Sequence, residues 1–349
     1  MQEVRIGMLG SGFIGTFHAL GLRYVPEASV VANYGAGAER REGFAAQFGS
    51  RAFDSLEGVC ADPDVDLVVV SLPNQLHLPA VRAAAAAGKA VACTKPLGRN
   101  ADEAAEMVRA VSDAGVFSAY LENVVFNPDL VRMHQMVEAG AVGRVQTVRA
   151  REGHSGPHAA HFWDAKLAGG GALLDMGAHG AEVARYLFGK GLAVRDVFAW
   201  GATLVHGDRT AGEDNALMVI RFEDGRTATI DVSWSSVGGL EGRFEVYGDA
   251  GRLIEDMSVG SLKAFVGRPA GYIVEKADAE TGWIFPVPDE VRTHGHDLMM
   301  ADVVDAFRSG RPPLETFEDG LVVNLVLDAA YRSMVSGRWE PLAMAERAA

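Results

Sequence analysis

The 349-residue chain is expected to fold as two α/β domains, a doubly wound parallel sheet followed by an α/β domain with a large, mostly antiparallel open sheet. Three observations predict this. A short apolar strand runs straight into a glycine loop near the N-terminus. Apolar strands then alternate with helical patterns up to about residue 121, as a parallel sheet covered on both faces requires. Beyond residue 127 that alternation stops, and longer strands with polar-apolar alternation and turn signals take over. The boundary is placed between residues 123 and 124, giving domains 1–123 and 124–349.

The opening strand is Val4 to Leu9, and Gly10-Ser11-Gly12-Phe13-Ile14-Gly15 after it reads G-x-G-x-x-G. Helical spacing of apolar residues follows from Thr16 to Val25. In this strand-loop-helix context the first glycine permits the tight turn and the second lets backbone approach a pyrophosphate. The third lets the helix pack on the strand. The helix start would offer N–H groups and positive dipole to the phosphates at Gly12, Phe13 and Ile14. Domain 1–123 is therefore expected to bind a dinucleotide.

The rest of this domain repeats the unit. Strands are expected at Ser29 to Tyr34, Leu67 to Ser71, Ala90 to Cys93 and Phe117 to Leu121, and helices at Glu39 to Phe48, Leu78 to Ala87 and Ala101 to Ala114. In domain 124–349, strands are expected at Arg144 to Glu152, Val194 to Val205, Asn215 to Phe222, Arg226 to Trp234 and Arg243 to Tyr247. Glu223-Asp224-Gly225 is a hairpin turn between two of them. Helices at Pro128 to Ala139, Ala172 to Phe188, Asp297 to Ser309 and Asp319 to Val335 should pack around that sheet. A sheet with one face left open calls for a second subunit, so a homodimer or homotetramer through the C-terminal sheet is expected. The tail after Pro341 is expected to fray.

Composition narrows the class. A hydrophobic content of 48% supports full cores, and a formal net charge of −14 argues against nucleic acid or an anionic membrane as partner. No apolar run reaches the length of a membrane span. Two cysteines, Cys60 and Cys93, form no disulfide framework and lack zinc-site spacing, which fits the cytoplasm.

Three further segments carry chemistry. Ser71-Leu72-Pro73-Asn74-Gln75-Leu76-His77 and Cys93-Thr94-Lys95-Pro96-Leu97 each sit at the C-terminal end of an apolar strand, where doubly wound sheets bind ligands. Gly169-Gly170-Gly171 opens a helix that carries Asp175 and His179 four residues apart, hence on one face. With the glycine loop and the late Gly310-Arg311-Pro312-Pro313 segment, these resemble the NAD(P)-dependent sugar and polyol oxidoreductases named after glucose-fructose oxidoreductase, inositol dehydrogenase and a rhizopine-catabolism protein. The resemblance covers nearly the whole chain. It implies a Rossmann domain, a second α/β domain whose sheet often makes dimer contacts, and a catalytic trio of Lys95, Asp175 and His179. One departure is that Thr94 stands where the family usually carries an acidic residue.

The residues agree with those roles. Oxidising a secondary alcohol needs a base for the hydroxyl proton, and an imidazole near neutral pKa suits it. Lys95 can hydrogen-bond the same oxygen as alkoxide charge develops. The cofactor set is Gly10, Gly12, Phe13, Ile14, Gly15, Gly35, Arg40, Arg41, Ser71, Pro73, Asn74, His77, Thr94 and Lys95. No acid ends the second strand at Asn33-Tyr34-Gly35, and Arg40 or Arg41 could neutralise a 2′-phosphate, so NADP is favoured slightly over NAD.

The loop from Glu152 to Asp164 is rich in histidine and aromatic residues, as a site for a hydroxylated ring needs. His154, His158 and Trp163 are the expected substrate contacts beside Lys95, Asp175 and His179, with Glu122 joining them. His158 and His161 make a poor metal set, and no metal is expected. The reaction expected is hydride transfer between the nicotinamide and a ring carbon of a sugar, glycoside or cyclic polyol. The alternatives are a non-catalytic nucleotide-binding regulator and an enzyme with a tightly held, internally recycled cofactor.

Overall fold

The computed structural model describes residues 3–257, 264–268, 281–284 and 289–343. It divides into two compact units, one of residues 1–126 with 294–324 and one of residues 127–293 with 325–349. The expected fraying after Pro341 falls largely on 344–349, outside the described residues.

The first unit begins β1 (Val4–Leu9), α1 (Phe13–Leu22), β2 (Ala28–Tyr34), α2 (Ala38–Phe48), β3 (Arg51–Phe53) and α3 (Leu56–Ala61). It continues β4 (Leu67–Val70), α4 (His77–Ala86), β5 (Ala90–Thr94), α5 (Ala101–Ala114) and β6 (Ser118–Leu121). All six strands are parallel, in the order β3-β2-β1-β4-β5-β6. Strand order reverses between β1 and β4, the position where such sheets open a crevice for ligands. β4 and β5 are buried along their whole length, which accounts for the apolar runs Leu67–Val70 and Ala90–Cys93. Local signals set the helix ends. Asn100 caps α5 by accepting the Glu103 N–H at 2.9 Å, and Gly115 ends it in the left-handed region.

The second unit contains α6 (Pro128–Glu138), β7 (Val145–Gly153), α7 (Ala165–Ala168), α8 (Ala172–Phe188), β8 (Val194–Ala202), β9 (Asn215–Phe222) and β10 (Thr227–Ser233). There follow β11 (Glu241–Gly248), β12 (Arg252–Asp256), a ribbon of β13 (Ala264–Val266) with β14 (Gly282–Ile284), α9 (Glu290–Thr293) and, near the end, β15 (Glu340–Pro341). Seven strands form one sheet, β12-β11-β7-β10-β9-β8-β15. Its pairs are antiparallel except β7 with β10, which run parallel with Val148 opposite Ala228. Val148, Ala150, Met218, Ile220, Ala228, Ile230, Phe244 and Val246 alternate inward. α8 lies on that face, and Gly180 lets it come close, since a Cβ there would stand 2.7 Å from the Ile230 side chain. Phe198, Trp200 and Leu217 alternate outward and are exposed.

Five expectations change. α1 starts at Phe13 rather than Thr16, directly at the glycine loop. β8 stops at Ala202 rather than Val205, because the Leu204, Val205 and His206 N–H groups turn to the Asp214 carboxylate, each at 2.7 Å. β3, α3, α7, β12, β13, β14, α9 and β15 are additional short elements, none marked in the sequence by a periodic or sustained apolar pattern. The helix expected at Asp297 to Ser309 forms as α10 (His296–Ser309) but belongs to the first unit, packed on α1 rather than on the second sheet. Gly21 permits that packing: a Cβ there would lie 2.7 Å from the His296 carbonyl oxygen. The last helix, α11 (Phe317–Ser336), has its residues to Asn324 in the first unit and the remainder in the second.

Candidate functional site

In the first unit the expected nucleotide residues gather at the C-terminal ends of β1, β2, β4 and β5. The three loop glycines have different reasons to be glycine. Gly10 has φ +117°, and a Cβ on it would lie 2.1 Å from the Ser71 carbonyl oxygen. A Cβ on Gly15 would lie 2.0 Å from the Gly10 carbonyl oxygen. A Cβ on Gly12 would meet nothing within 4 Å among the described residues, and no side chain there caps α1. The turn is thus packed at Gly10 and Gly15 and open at Gly12, where a pyrophosphate would meet Gly12, Phe13 and Ile14. These residues fit a dinucleotide.

Neighbouring residues shape the crevice. A Cβ on Gly35 would stand 1.9 Å from Ser11 Oγ, so glycine lets the β2 end and the loop approach each other without turning that hydroxyl aside. Arg41 donates from Nη1 to the Gly35 carbonyl at 3.2 Å, and the Asn33 amide donates to the Arg41 carbonyl at 3.1 Å. Arg40 is exposed. Ser71 Oγ pairs with buried His18 Nδ1 at 2.8 Å, and burial pushes the His18 pKa down to about 3, which keeps that ring neutral. Pro73 and Asn74 start a 3₁₀ turn (Asn74–Leu76), in which Asn74 is buried.

His77, expected at the nucleotide, is fully buried and spends both ring nitrogens on backbone. Nε2 faces the Leu72 carbonyl at 2.8 Å, and Nδ1 faces those of Pro96 and Leu97 at 3.0 and 3.2 Å. It therefore ties the two strand-end loops together. Burial lowers its pKa against the opposing pull of those carbonyls. Thr94 closes β5, Lys95 is half-buried and the Lys95–Pro96 bond is cis. Glu122 is buried, and its carboxylate accepts the Val124 N–H at 3.0 Å.

In the second unit the chemistry rests on α8, which is buried along all 17 residues. Its start is held by a residue distant in sequence. Glu213 Oε1 accepts the Gly171 and Leu173 N–H groups at 3.2 and 2.9 Å and the Tyr331 hydroxyl at 2.9 Å, while its carbonyl accepts the Ala172 N–H at 2.8 Å. A carboxyl group at a helix N-terminus satisfies donors the helix cannot. Burial raises the Glu213 pKa against those donors. The glycine run follows from the same packing: a Cβ on Gly170 would lie 2.0 Å from the Tyr331 hydroxyl oxygen, and one on Gly171 2.0 Å from the Glu213 carbonyl oxygen.

Asp175 is in the first turn of α8 and His179 one turn on, both buried. Asp175 Oδ2 accepts the Trp234 indole N–H at 3.1 Å. Trp234 follows β10, and His154 follows the parallel partner β7, with the His154 N–H donated to the Ser233 carbonyl at 2.9 Å. His154 Nδ1 accepts the Gly156 N–H at 3.0 Å, which fixes that nitrogen as the acceptor of the ring. Trp163 lies 5.6 Å from the Trp234 ring and 5.0 Å from His206. One face of Trp163 is covered by the Arg209 guanidinium at 3.6 Å. The second unit thus brings together Asp175, His154 and Trp163 through Trp234. His158 is exposed on the loop, and His161 packs on Phe162 at 4.3 Å. Sequence reasoning missed Trp234, Glu213, Arg209, His206 and Tyr331. Only Trp234 left a signal, an aromatic closing a predicted strand.

Known proteins resemble this chain in sequence and fold. Residues 4–120 match an oxidoreductase family described by its NAD-binding Rossmann fold, and residues 130–254 match the GFO/IDH/MocA C-terminal domain. The chain is 32% identical to GenD2 from gentamicin A biosynthesis, solved in complex with NAD, over 99% of this chain and 97% of that one, with a TM-score of 0.92. It is 28% identical to myo-inositol 2-dehydrogenase of Thermotoga maritima over 96% of this chain and 97% of that protein. Levoglucosan dehydrogenase of Pseudarthrobacter phenanthrenivorans is 26% identical over 97% of this chain and 98% of its own length. The sequence match, the parallel nucleotide-binding sheet and the Asp-His helix converge: the chain belongs to the GFO/IDH/MocA family of oxidoreductases.

Proposed function

We propose that this protein is a nicotinamide-dinucleotide-dependent dehydrogenase acting on a CH–OH carbon in the ring of a sugar, glycoside or cyclic polyol. The observation that carries the reading is the pair Asp175 and His179, one turn apart on a buried helix, with Asp175 held by an indole N–H. A bound nicotinamide dinucleotide supplies the hydride acceptor. His179 takes the hydroxyl proton, Lys95 stabilises the oxygen as it gains charge, and Asp175 orients the substrate. The nucleotide is held by Gly10 to Gly15, with Gly35, Arg40, Ser71, Pro73, Asn74 and Thr94 around it; Arg41 and His77 shape the loops from behind. Substrate contacts are assigned to His154, Trp163, His158 and Glu122.

NADP is used at least as well as NAD. No carboxylate ends β2 to repel a 2′-phosphate, and Arg40 is exposed in the first turn of α2. Arg41, already donating to Gly35, contributes less than its sequence position promised. Relatives named for inositol and levoglucosan, and a levoglucosan dehydrogenase structure holding NADH and levoglucosan, support a ring polyol as substrate. The exposed Phe198, Trp200 and Leu217 face of the second sheet supports a homodimer or homotetramer. Cys60 and Cys93 are buried free thiols, as a cytoplasmic protein permits. No described helix is long and apolar enough to cross a membrane.

A panel of sugars, inositols and anhydrosugars, each with NAD and with NADP and read at the reduced-nicotinamide absorbance, tests the reading. Turnover of a ring polyol is expected. Nucleotide binding without turnover on any member would favour a regulator.

A further inference from the structure

We infer that Trp234 is a positioning residue: its indole N–H fixes the carboxylate of Asp175, and the backbone around it locks the indole in place. An indole nitrogen donates but has no lone pair to accept with, and its N–H is far too weak an acid to ionise at working pH, so it takes no part in proton transfer. What it can do is hold Oδ2. Asp175 is only 8% exposed, and a carboxylate removed from water to that degree costs free energy unless donors face it. Phenylalanine would fill much of the same volume and leave that oxygen one donor short.

The indole is itself held from several sides. Trp234 is fully buried, its backbone N–H donates to the Asp214 carbonyl at 2.7 Å, and its backbone carbonyl accepts from His206 Nε2 at 3.1 Å. The Asp214 carboxylate gathers the Leu204, Val205 and His206 N–H groups at 2.7 Å each, and these donors hold its pKa low despite its burial. The 203–214 loop, the end of β10 and the first turn of α8 are therefore joined through one residue, by its backbone to the loop and by its side chain to α8. From the far side, Trp163 packs on the Trp234 ring and carries Arg209 on its own face. A carboxylate braced in this way is oriented before substrate arrives, so little ordering remains to be done on binding. The inference about geometry stands apart from the proposed activity, and only its kinetic consequence rests on that reading.

Two measurements separate the two. In nitrogen-15-labelled protein, the Trp234 indole N–H is one of five indole signals, assigned through its own backbone resonances. It should move on Asp175→Ala, and its pH titration should vanish in that variant. An indole signal indifferent to Asp175→Ala overturns the inference whatever the enzyme does. Kinetically, Trp234→Phe should lower kcat by about 10- to 100-fold, in line with losing a hydrogen bond to a charged group, with nucleotide affinity unchanged. In an Asp175→Ala background the same substitution should cost less than about twofold. Equal losses in both backgrounds would mean that Trp234 acts through packing alone and would overturn the positioning role. Thermal unfolding of each variant shows that the comparison is made between folded proteins.

Discussion

The first unit prepares its site with backbone, whereas the second prepares its site with side chains. At the glycine loop, the features that matter are where Cβ atoms are missing: packed out at Gly10 and Gly15, open at Gly12. On α8, the features are a carboxylate and an imidazole inside a helix with no exposed face, with the Trp234 indole from a distant segment holding the carboxylate. A backbone site is specified by a local pattern, because a few consecutive residues dictate it. A side-chain site buried in a helix requires partners from distant segments, since each buried polar atom must be satisfied. The two units should therefore respond differently to substitution.

The largest effect is expected at Gly10. A Cβ 2.1 Å from the Ser71 oxygen, on a residue with φ +117°, has nowhere to go, so Gly10→Ala should cost the fold more than about 4 kcal/mol. Gly12→Ala should melt with the wild type and still lose about tenfold or more in nucleotide affinity, because only the approach of the pyrophosphate is blocked. Calorimetry and titration together decide this. A Gly10→Ala protein as stable as wild type would break the contrast.

His179→Ala should lower kcat by about 10²- to 10⁴-fold, the range for losing a general base, while nucleotide affinity holds. The limb of kcat/KM near neutrality should disappear with the imidazole. If the variant keeps both its rate and that limb, the proton passes through another residue, and His158 is the first to examine.

A smaller effect concerns stability against pH. Glu255 on β12 is buried near Asp129 and Asp256, and burial, then those charges, push its pKa up to about 8 from 4.5. The folded chain binds this proton more tightly than the unfolded chain. Stability should therefore fall as pH rises from about 4.5 through about 8, and Glu255→Gln should remove that loss. At pH 9 the variant should be more stable by about 1 to 3 kcal/mol, with the two melting curves converging below pH 4.5. Parallel curves across the whole range would show that Glu255 ionises as freely folded as unfolded.

The smallest effect is expected at Arg40. Exposed and one residue from the Gly35-tethered Arg41, it should contribute less than about tenfold to NADP over NAD in kcat/KM, roughly 1.4 kcal/mol. Arg40→Ala should narrow the ratio by that much and leave NAD kinetics alone. NAD preferred by more than tenfold in the wild type would overturn the assignment of NADP.

Much of this was legible in the chain. The strands ending at Leu9, Tyr34 and Val70, the helix Ala172–Phe188 and the spacing of Asp175 from His179 were all visible as patterns of a few residues. Short elements such as Arg51–Phe53 were not, because three residues carry no periodicity. His77 was legible as part of a motif but not in its role, since only the positions of the Leu72 and Pro96 carbonyls reveal that its ring serves the backbone.

What the sequence determined by itself was therefore local: an N-terminal parallel sheet, its glycine loop, and a glycine-led helix carrying an acid and an imidazole on one face. What the tertiary structure decided was which distant segments meet. It paired β7 with β10 in parallel, so that His154 and Trp234 emerge side by side. It set Glu213 and Tyr331 against the start of α8, brought the Trp234 indole to Asp175, and placed α10 on α1. Strand partners and buried donors separated by 40 to 160 residues leave no periodic trace in the chain, because packing chooses them only when apolar faces close and each buried polar atom must find a mate.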